Sequence, residues 1–258
     1  MRKPIIDAHI HFDLYDTNER FIILQGMETN KIKSLISVSN NLSSAKKTLH
    51  LAKSNPSIKP GFGYHPEQEL PKVNEVEELI KFINNNQSIM VAIGEVGLPY
   101  YLRQKNPNIS IDPYIELLEI FVQQAVHYNK PLVLHAIYDD AQVVCNLLEK
   151  YSIKKAHFHW FKGDQKVIER MIDNGYFISV TPDLLYKKRT HDLVKLYPLS
   201  KLMVETDGPW PFDGPFKGKM THPAMIHFVI QEIATIKKLD ISTVYEKIYQ
   251  NTKEFYSI

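Results

Sequence analysis

Residues 4–13 read PIIDAHIHFD, a short apolar run that closes on two histidines one residue apart. Side chains alternate along an extended strand, so His9 and His11 are expected on the same face, able to grip one ion together. Seven more apolar runs bounded by turn residues follow: 32–39 (IKSLISVS), 58–64 (IKPGFGY), 89–96 (IMVAIGEV), 131–136 (PLVLHA), 155–160 (KAHFHW), 176–181 (YFISVT) and 202–207 (LMVETD). With residues 4–10 they make eight strand candidates, and amphipathic stretches of helical spacing lie between them. The clearest helix has Asp112 as N-cap and Pro113 at its first position, followed by YIELLEIFVQQAVHY. Another starts after Gly163 with Asp164 as cap, and stretches near 222–236 and 242–256 read as a closing helix and a C-terminal appendage.

Eight strands each followed by a helix in 258 residues predict an α/β chain, a (β/α)8 TIM barrel forming one domain over 1–258. An open doubly wound sheet is the competing architecture. A composition of 44% hydrophobic and 23% charged residues is that of an ordinary globular protein. The formal net charge of +2 is too mild to announce a dense basic nucleic-acid surface, and leaves partners open. The N-terminus reaches Asp7 and two histidines too soon for a signal peptide, and no segment has the roughly 18 uninterrupted apolar residues of a membrane helix. A cytoplasmic protein with no membrane partner is expected. The single cysteine, Cys145, sits in the apolar helical pattern AQVVCNLLEKY and is expected to be a buried small hydrophobe rather than a nucleophile.

Parallel barrels carry their chemistry at the C-terminal ends of the strands, and here those ends hold metal-ligand residue types. Glu95 ends the fourth run, His135 the fifth, His159 the sixth and Asp207 the eighth, beside His9 and His11 on the first. Burying several imidazoles and carboxylates together is too costly unless a charge compensates them, and a divalent cation does so directly. His50, His127 and His227 lie on helical stretches and are read as satisfied core histidines.

The chain resembles the TatD-like metal-dependent hydrolases, a branch of the amidohydrolase barrels often described as deoxyribonucleases. The resemblance runs in order along nearly the whole chain: IDAHIHFD is similar to an opening DxHxH, GYHP at 63–66 to GxHP, GEVGL at 94–98 to GExGLD, and NKPLVLH leads to His135. HWFKG at 159–163 resembles HxFxG and ETDGPW at 205–210 resembles ETDxP. The resemblance implies two divalent ions, with His9, His11 and Asp207 on one, His135 and His159 on the other, and Glu95 bridging. Two cations about 3.5–4 Å apart can acidify a shared water and polarise the phosphoryl or carbonyl oxygen under attack. Asp207 would then accept the proton, His65 would face the substrate or else fix the 63–66 turn, and Glu205 would orient ligands from behind. Four histidines favour zinc or manganese as the bound metal, with magnesium possible in use. Three positions depart from the pattern: Pro99 stands in place of the usual Asp, no arginine follows His135 in AIYDD, and Thr221-His222-Pro223 replaces an Asn-x-Pro.

Aromatics and cations interleave in the loops after the strands, as a single-strand binding cleft requires: Tyr100, Tyr101, Arg103 and Lys105; Trp160, Phe161 and Lys162; Lys187, Lys188 and Arg189; Trp210, Phe212, Lys217 and Lys219. Of these, Tyr101, Arg103, Trp160, Lys187, Arg189 and Trp210 are the candidate substrate contacts. The same aromatics could simply pack the loops, with solvated lysines between them. Phosphodiester hydrolysis at a DNA end is the leading expectation. A small amide, lactone or phosphoester substrate, or a metal-binding barrel without turnover, are the alternatives.

Overall fold

All eight apolar runs fold as strands in the computed structural model, which describes residues 2–258: β1 (Ile5–Ile10), β2 (Ile32–Ser37), β3 (Ile58–Phe62), β4 (Ala92–Gly97), β5 (Leu132–His135), β6 (Ala156–Phe158), β7 (Phe177–Val180) and β8 (Leu202–Val204). They pair in parallel in the order β1 to β8. The circle is drawn in where β8 returns to β1: Asp207 N donates to His9 O at 3.0 Å and His11 N to Gly208 O at 2.8 Å. Just below, the buried Asp7 carboxylate accepts from Thr206 N at 3.0 Å and Thr206 Oγ1 at 2.5 Å. The result is a near-closed TIM-like barrel rather than an open sheet. Several runs stop short of their expected ends because at the rim the chain leaves its ladder partner and turns into a loop. His159 and Asp207 therefore stand just beyond β6 and β8.

Ten α-helices surround the sheet: α1 (Thr17–Gly26), α2 (Leu42–Ser54), α3 (Val73–Asn85), α4 (Tyr100–Lys105), α5 (Asp112–Tyr128), α6 (Asp139–Lys150), α7 (Gln165–Asp173), α8 (Lys188–Leu196), α9 (Ile226–Lys237) and α10 (Ile241–Tyr256), counted among the described residues. Their starts follow side-chain chemistry. Asp16 and Glu19 form a reciprocal capping box on α1, and Asp164 accepts from Val167 N at 2.9 Å to cap α7. Asp112 is not the cap of α5 but its first helical residue, after Ile111, because its carboxylate turns back to Ser110 instead of reaching a helix N–H. Residues 222–225 are likewise outside α9: His222 Nδ1 accepts from Ala224 N at 3.0 Å and heads a separate 3-10 turn, Pro223–Met225. Cys145 is fully buried on α6, and burial pushes its thiol up to about 12. His227 is a satisfied core histidine, bonded to Tyr245 Oη and Asn30 O at 2.7 Å each. His50 and His127 are not core residues, since both lie on solvent-facing sides of their helices. Among the described residues no helix is long and apolar enough to cross a membrane.

The last helix is not an appendage. Asn251 Nδ2 donates to Leu199 O and Leu202 O at 2.7 and 2.8 Å, and Phe255 and Tyr256 join Ile6, Ala8, Ile36, Val38, Ala92, Val133 and Met203 in one buried cluster. Two bulky rings from α10 thus close the lower end of the barrel interior. Tyr256 Oη lies 2.7 Å from His157 Nδ1 on β6, and both residues are buried. Tyr256→Phe, which leaves that imidazole nitrogen without its partner, is expected to cost about 1–3 kcal/mol. Urea unfolding checks this, and an unchanged midpoint would show that the bond does not stabilise the fold.

Candidate metal centre

Above the apolar layer the barrel interior turns polar, and at its rim β1, β4, β5, β6 and β8 deliver their terminal side chains to one place. His9, His11, Glu95, His135, His159 and Asp207 are all buried there. Ideal alternation does not run through β1, whose pairing with β2 shifts register between Asp7 and Ile10. Even so, the His9 and His11 Nε2 atoms arrive 3.4 Å apart. At the neighbouring strand end Gly97 has φ +155°, and a Cβ there would stand 1.9 Å from the His135 carbonyl oxygen, so only glycine lets β4 and β5 approach closely enough to join Glu95 to His135.

Glu95 lies at the centre of two sets of imidazoles. Its Oε2 is 3.1 Å from His11 Nε2 and 3.2 Å from His9 Nε2, and Asp207 Oδ1 reaches the same two nitrogens at 3.5 and 3.3 Å. Its Oε1 is 2.7 Å from His159 Nε2, 3.0 Å from His135 Nδ1 and 3.4 Å from His65 Nε2. The two carboxylate oxygens therefore face different sets of imidazoles. The rings of His9 and His159 stack at 3.9 Å with 7° between planes, and their nitrogens approach Asp207 as a further three-residue group.

The donor set fits divalent cations. Glu95 Oε2 and Asp207 Oδ1 are buried atoms without a hydrogen-bond partner, although imidazole nitrogens surround them at short range. Lone pairs converging on a point instead of on each other are what ion coordination leaves. Protons can compensate in part: burial opposes charge on His9, but Glu95 and Asp207 outweigh it and raise its pKa well above the usual value. Burial likewise opposes charge on His135, yet Glu67 and Glu95 lift it to about 9, and Glu95 raises His159 against the same penalty. Burial alone would raise Glu95, but His159, His65 and His9 hold it well below the usual range. Charging two imidazoles stacked face to face is costly, whereas neutral rings around a cation satisfy the same carboxylates.

Neighbouring hydrogen bonds fix the roles of individual nitrogens. Glu67 Oε1 accepts from His135 Nε2 at 3.1 Å, so Nδ1, 3.0 Å from Glu95 Oε1, is the nitrogen left to a proton in the metal-free protein or to a cation. Glu67 N donates to His65 Nδ1 at 3.2 Å, so Nε2 of His65 carries the proton and faces the cleft as a donor, not as a ligand lone pair. His65 thus both fixes the 63–66 turn and presents N–H to the site. Glu205 Oε1 accepts from Trp160 N at 2.7 Å and lies 3.6 Å from His159 Nδ1, too far for a hydrogen bond, so it holds the Trp160 turn more than the ring. Trp160 has φ +36° and Asp207 φ +50°, a left-handed strain that such contacts must hold and that concentrates at functional sites.

A cleft of about 610 Å³ opens over this cluster, with His65, Glu67, Tyr101, Lys162, Trp160 and Trp210 in its walls. Of the expected substrate contacts, Tyr101, Trp160 and Trp210 line it. Arg103 does not, because it is bound to Asp140 at 2.9 Å. Lys187 and Arg189 stand on the outer rim, Arg189 donating to Tyr138 Oη at 2.7 Å. Pro99 precedes α4, and Thr221 Oγ1 donates to Trp210 O at 2.5 Å, so these departures from the family pattern shape the rim loops. Sequence reasoning missed Glu67, which lies in the loop after β3, because nothing local marks a loop glutamate as the partner of a histidine 68 positions away.

Residues 6–257 match the family described as TatD related DNase. The chain is 39% identical to an uncharacterized metal-dependent hydrolase of Haemophilus influenzae, over 98% of this chain and 100% of that one. It is 26% identical to the human protein named Deoxyribonuclease TATDN3, over 98% of this chain and 94% of the other. In fold it is similar to the crystal structure of YJJV, a TatD homolog from Escherichia coli, with a TM-score of 0.86 at 22% identity over 98% of each chain.

With His9 raised well above its ordinary value and His135 lifted to about 9 in the metal-free protein, zinc uptake at pH 7 should release protons, visible in calorimetry as a heat that varies with buffer ionisation enthalpy. The sign for stability follows. Its two carboxylate partners lift folded His135 to about 9 from the ordinary 6.5 of an imidazole, so its contribution is full below 6.5 and is lost as pH rises through about 9. Buffer-independent heats would show that the imidazoles are already neutral.

Proposed function

The chain belongs to the TatD-related DNase family of metal-dependent hydrolases, and we propose that it cleaves phosphodiester bonds at DNA ends, working as one barrel domain over residues 1–258. The observation that carries this reading is the split of the Glu95 carboxylate between two buried ligand sets. His9, His11 and Asp207 would hold one divalent ion, His135 and His159 a second, with Glu95 between them. Histidine-rich ligation favours zinc or manganese over magnesium. Bound there, such ions supply Lewis acidity toward a phosphoryl oxygen and lower the pKa of a coordinated water.

The protein's own groups do the rest. Burial alone would raise Asp207, but its contacts with His9, together with His159 and His11, keep its carboxyl below the ordinary value, so it stays ionised and can take the proton of an attacking water at Oδ1. Burial lowers the pKa of His65, which keeps that ring neutral, and its Nε2–H can donate to a non-bridging phosphate oxygen without adding charge to the ligand set. Trp160, Tyr101 and Trp210 give flat apolar walls on which a base at a strand end can stack. Stacking on flat rings accepts every base, so cleavage is expected without sequence preference. The family name and the human relative named as a deoxyribonuclease favour DNA over a small amide or lactone.

Metal-reconstituted protein should shorten end-labelled single-stranded DNA stepwise. Asp207→Asn should lower kcat by about 10²–10⁴-fold while changing KM little. Hydrolysis of a simple aryl phosphodiester with intact DNA would move the assignment to a small-molecule esterase, and turnover of neither despite bound metal would point to a barrel without catalysis.

A further inference from the structure

Lys162 is a lysine buried in the cleft wall without an acidic partner. Only 8% of its surface is exposed. Its Nζ donates to Tyr101 Oη at 2.7 Å and sits 4.4 Å from the centre of the Trp160 ring and 5.3 Å from that of Tyr101. Among the described residues no carboxylate lies within ion-pairing distance of it. Of the aspartates whose field it feels, Asp183 is already engaged, with Oδ2 accepting from Trp160 Nε1 and Oδ1 from Thr190 Oγ1, each at 2.9 Å, and Asp207 belongs to the imidazole cluster. An ammonium has three donors, so two N–H groups remain for something in the cleft.

Its placement is fixed from the backbone outward. The Lys162 carbonyl accepts from Tyr138 N at 2.5 Å, tying the loop after β6 to the loop after β5. The side chain is then clasped by two aromatic rings, an arrangement that stabilises a cation. Burial, with Arg189 nearby, disfavours the charge, a cost that an incoming anion would remove. Lys105 also lines the cleft, so cationic and aromatic groups share it with the imidazole and carboxylate cluster.

We propose that Lys162 receives the phosphate flanking the scissile one on a DNA strand, its two free N–H groups taking two oxygens of that phosphate while the neighbouring base lies against Trp160. This rests on the phosphodiester reading of the cleft and names what sets its substrate length: a strand end that brings a second phosphate is held, and a lone phosphodiester is not. A carboxylate ligand would satisfy the ammonium equally but would leave the aromatic wall beside it unused.

The test is equilibrium binding to the metal-reconstituted protein, read by calorimetry. The probes are thymidine dinucleotides joined by an uncleavable methylphosphonate and carrying a 5′-phosphate, a 3′-phosphate or neither. The wild type is expected to bind one phosphorylated form at least about tenfold more tightly than the unphosphorylated one, the effect of a charge-assisted contact. Lys162→Met, which keeps the volume and the apolar packing, should abolish that preference; Lys162→Arg should retain part of it; and Lys33→Met, on the exposed face of β2, should leave it intact. No preference in the wild type, or a preference that survives in Lys162→Met, overturns the assignment. A preference lost in Lys162→Met by a wild type that hydrolyses no DNA would leave the anion receptor standing and refute the nuclease reading instead.

Discussion

The site depends on one buried carboxylate. Glu95 is fully enclosed at the end of β4, with five imidazoles within 3.4 Å of its two oxygens. An isolated ion so placed would be prohibitively costly, so its surroundings are not optional. Each neighbouring strand must end in a group that can be cationic or can bind a cation, and each must end at the same height. Parallel strand order, barrel closure and the glycine contact between β4 and β5 are the geometry that meets this demand.

The demand propagates downward through hydrogen bonds whose direction can be worked out. Glu205 Oε2 accepts from Ser179 Oγ at 2.5 Å, so the serine proton is spent there and its oxygen must accept from His157 Nε2 at 2.6 Å. His157 Nδ1 is then the acceptor, and the phenol of Tyr256 donates to it. Burial holds the His157 pKa well below the ordinary value, in keeping with a neutral ring that donates from one nitrogen and accepts at the other. A single line of donors thus joins the C-terminal helix, through β6, β7 and β8, to the carboxylate that holds the strained turn at Trp160. The apolar lower layer and the polar upper site are in this sense one construction.

Much of this was legible in the sequence, for a physical reason. Strand runs and ligand residue types are local signals, and a barrel rim converts position at a strand end into position at the site, so the six ligand candidates and the eight strands could be read together. What could not be read depends on contacts between distant loops. Glu67, in the loop after β3, and Arg103, on the short helix α4, look alike in the sequence as charged residues close behind a strand end. One turns inward to His135, while the other is captured by Asp140, and only the path of the loops decides between them. The same holds for α10, whose pattern reads as a plain amphipathic helix although its last two aromatics fill the barrel floor. Asp112 shows the limit of cap signals: a carboxylate before a proline has a local competitor, here Ser110, for the bond that would make it a cap.

The division between strand ends and loops also separates what this architecture can vary. The buried cluster is locked by mutual neutralisation, since removing Glu95 leaves His135 and His159 without their nearest carboxylate. The rim carries no such lock: Lys187 and Arg189 are exposed, and their charges are screened by water and salt at little cost or gain. A buried rim cation is different, because water screens it poorly and its desolvation has already been met in folding. Lys162 therefore acts on a bound anion far more strongly than the exposed cations around it, and the choice of substrate turns less on how many basic residues ring the cleft than on the one that the fold has taken out of water.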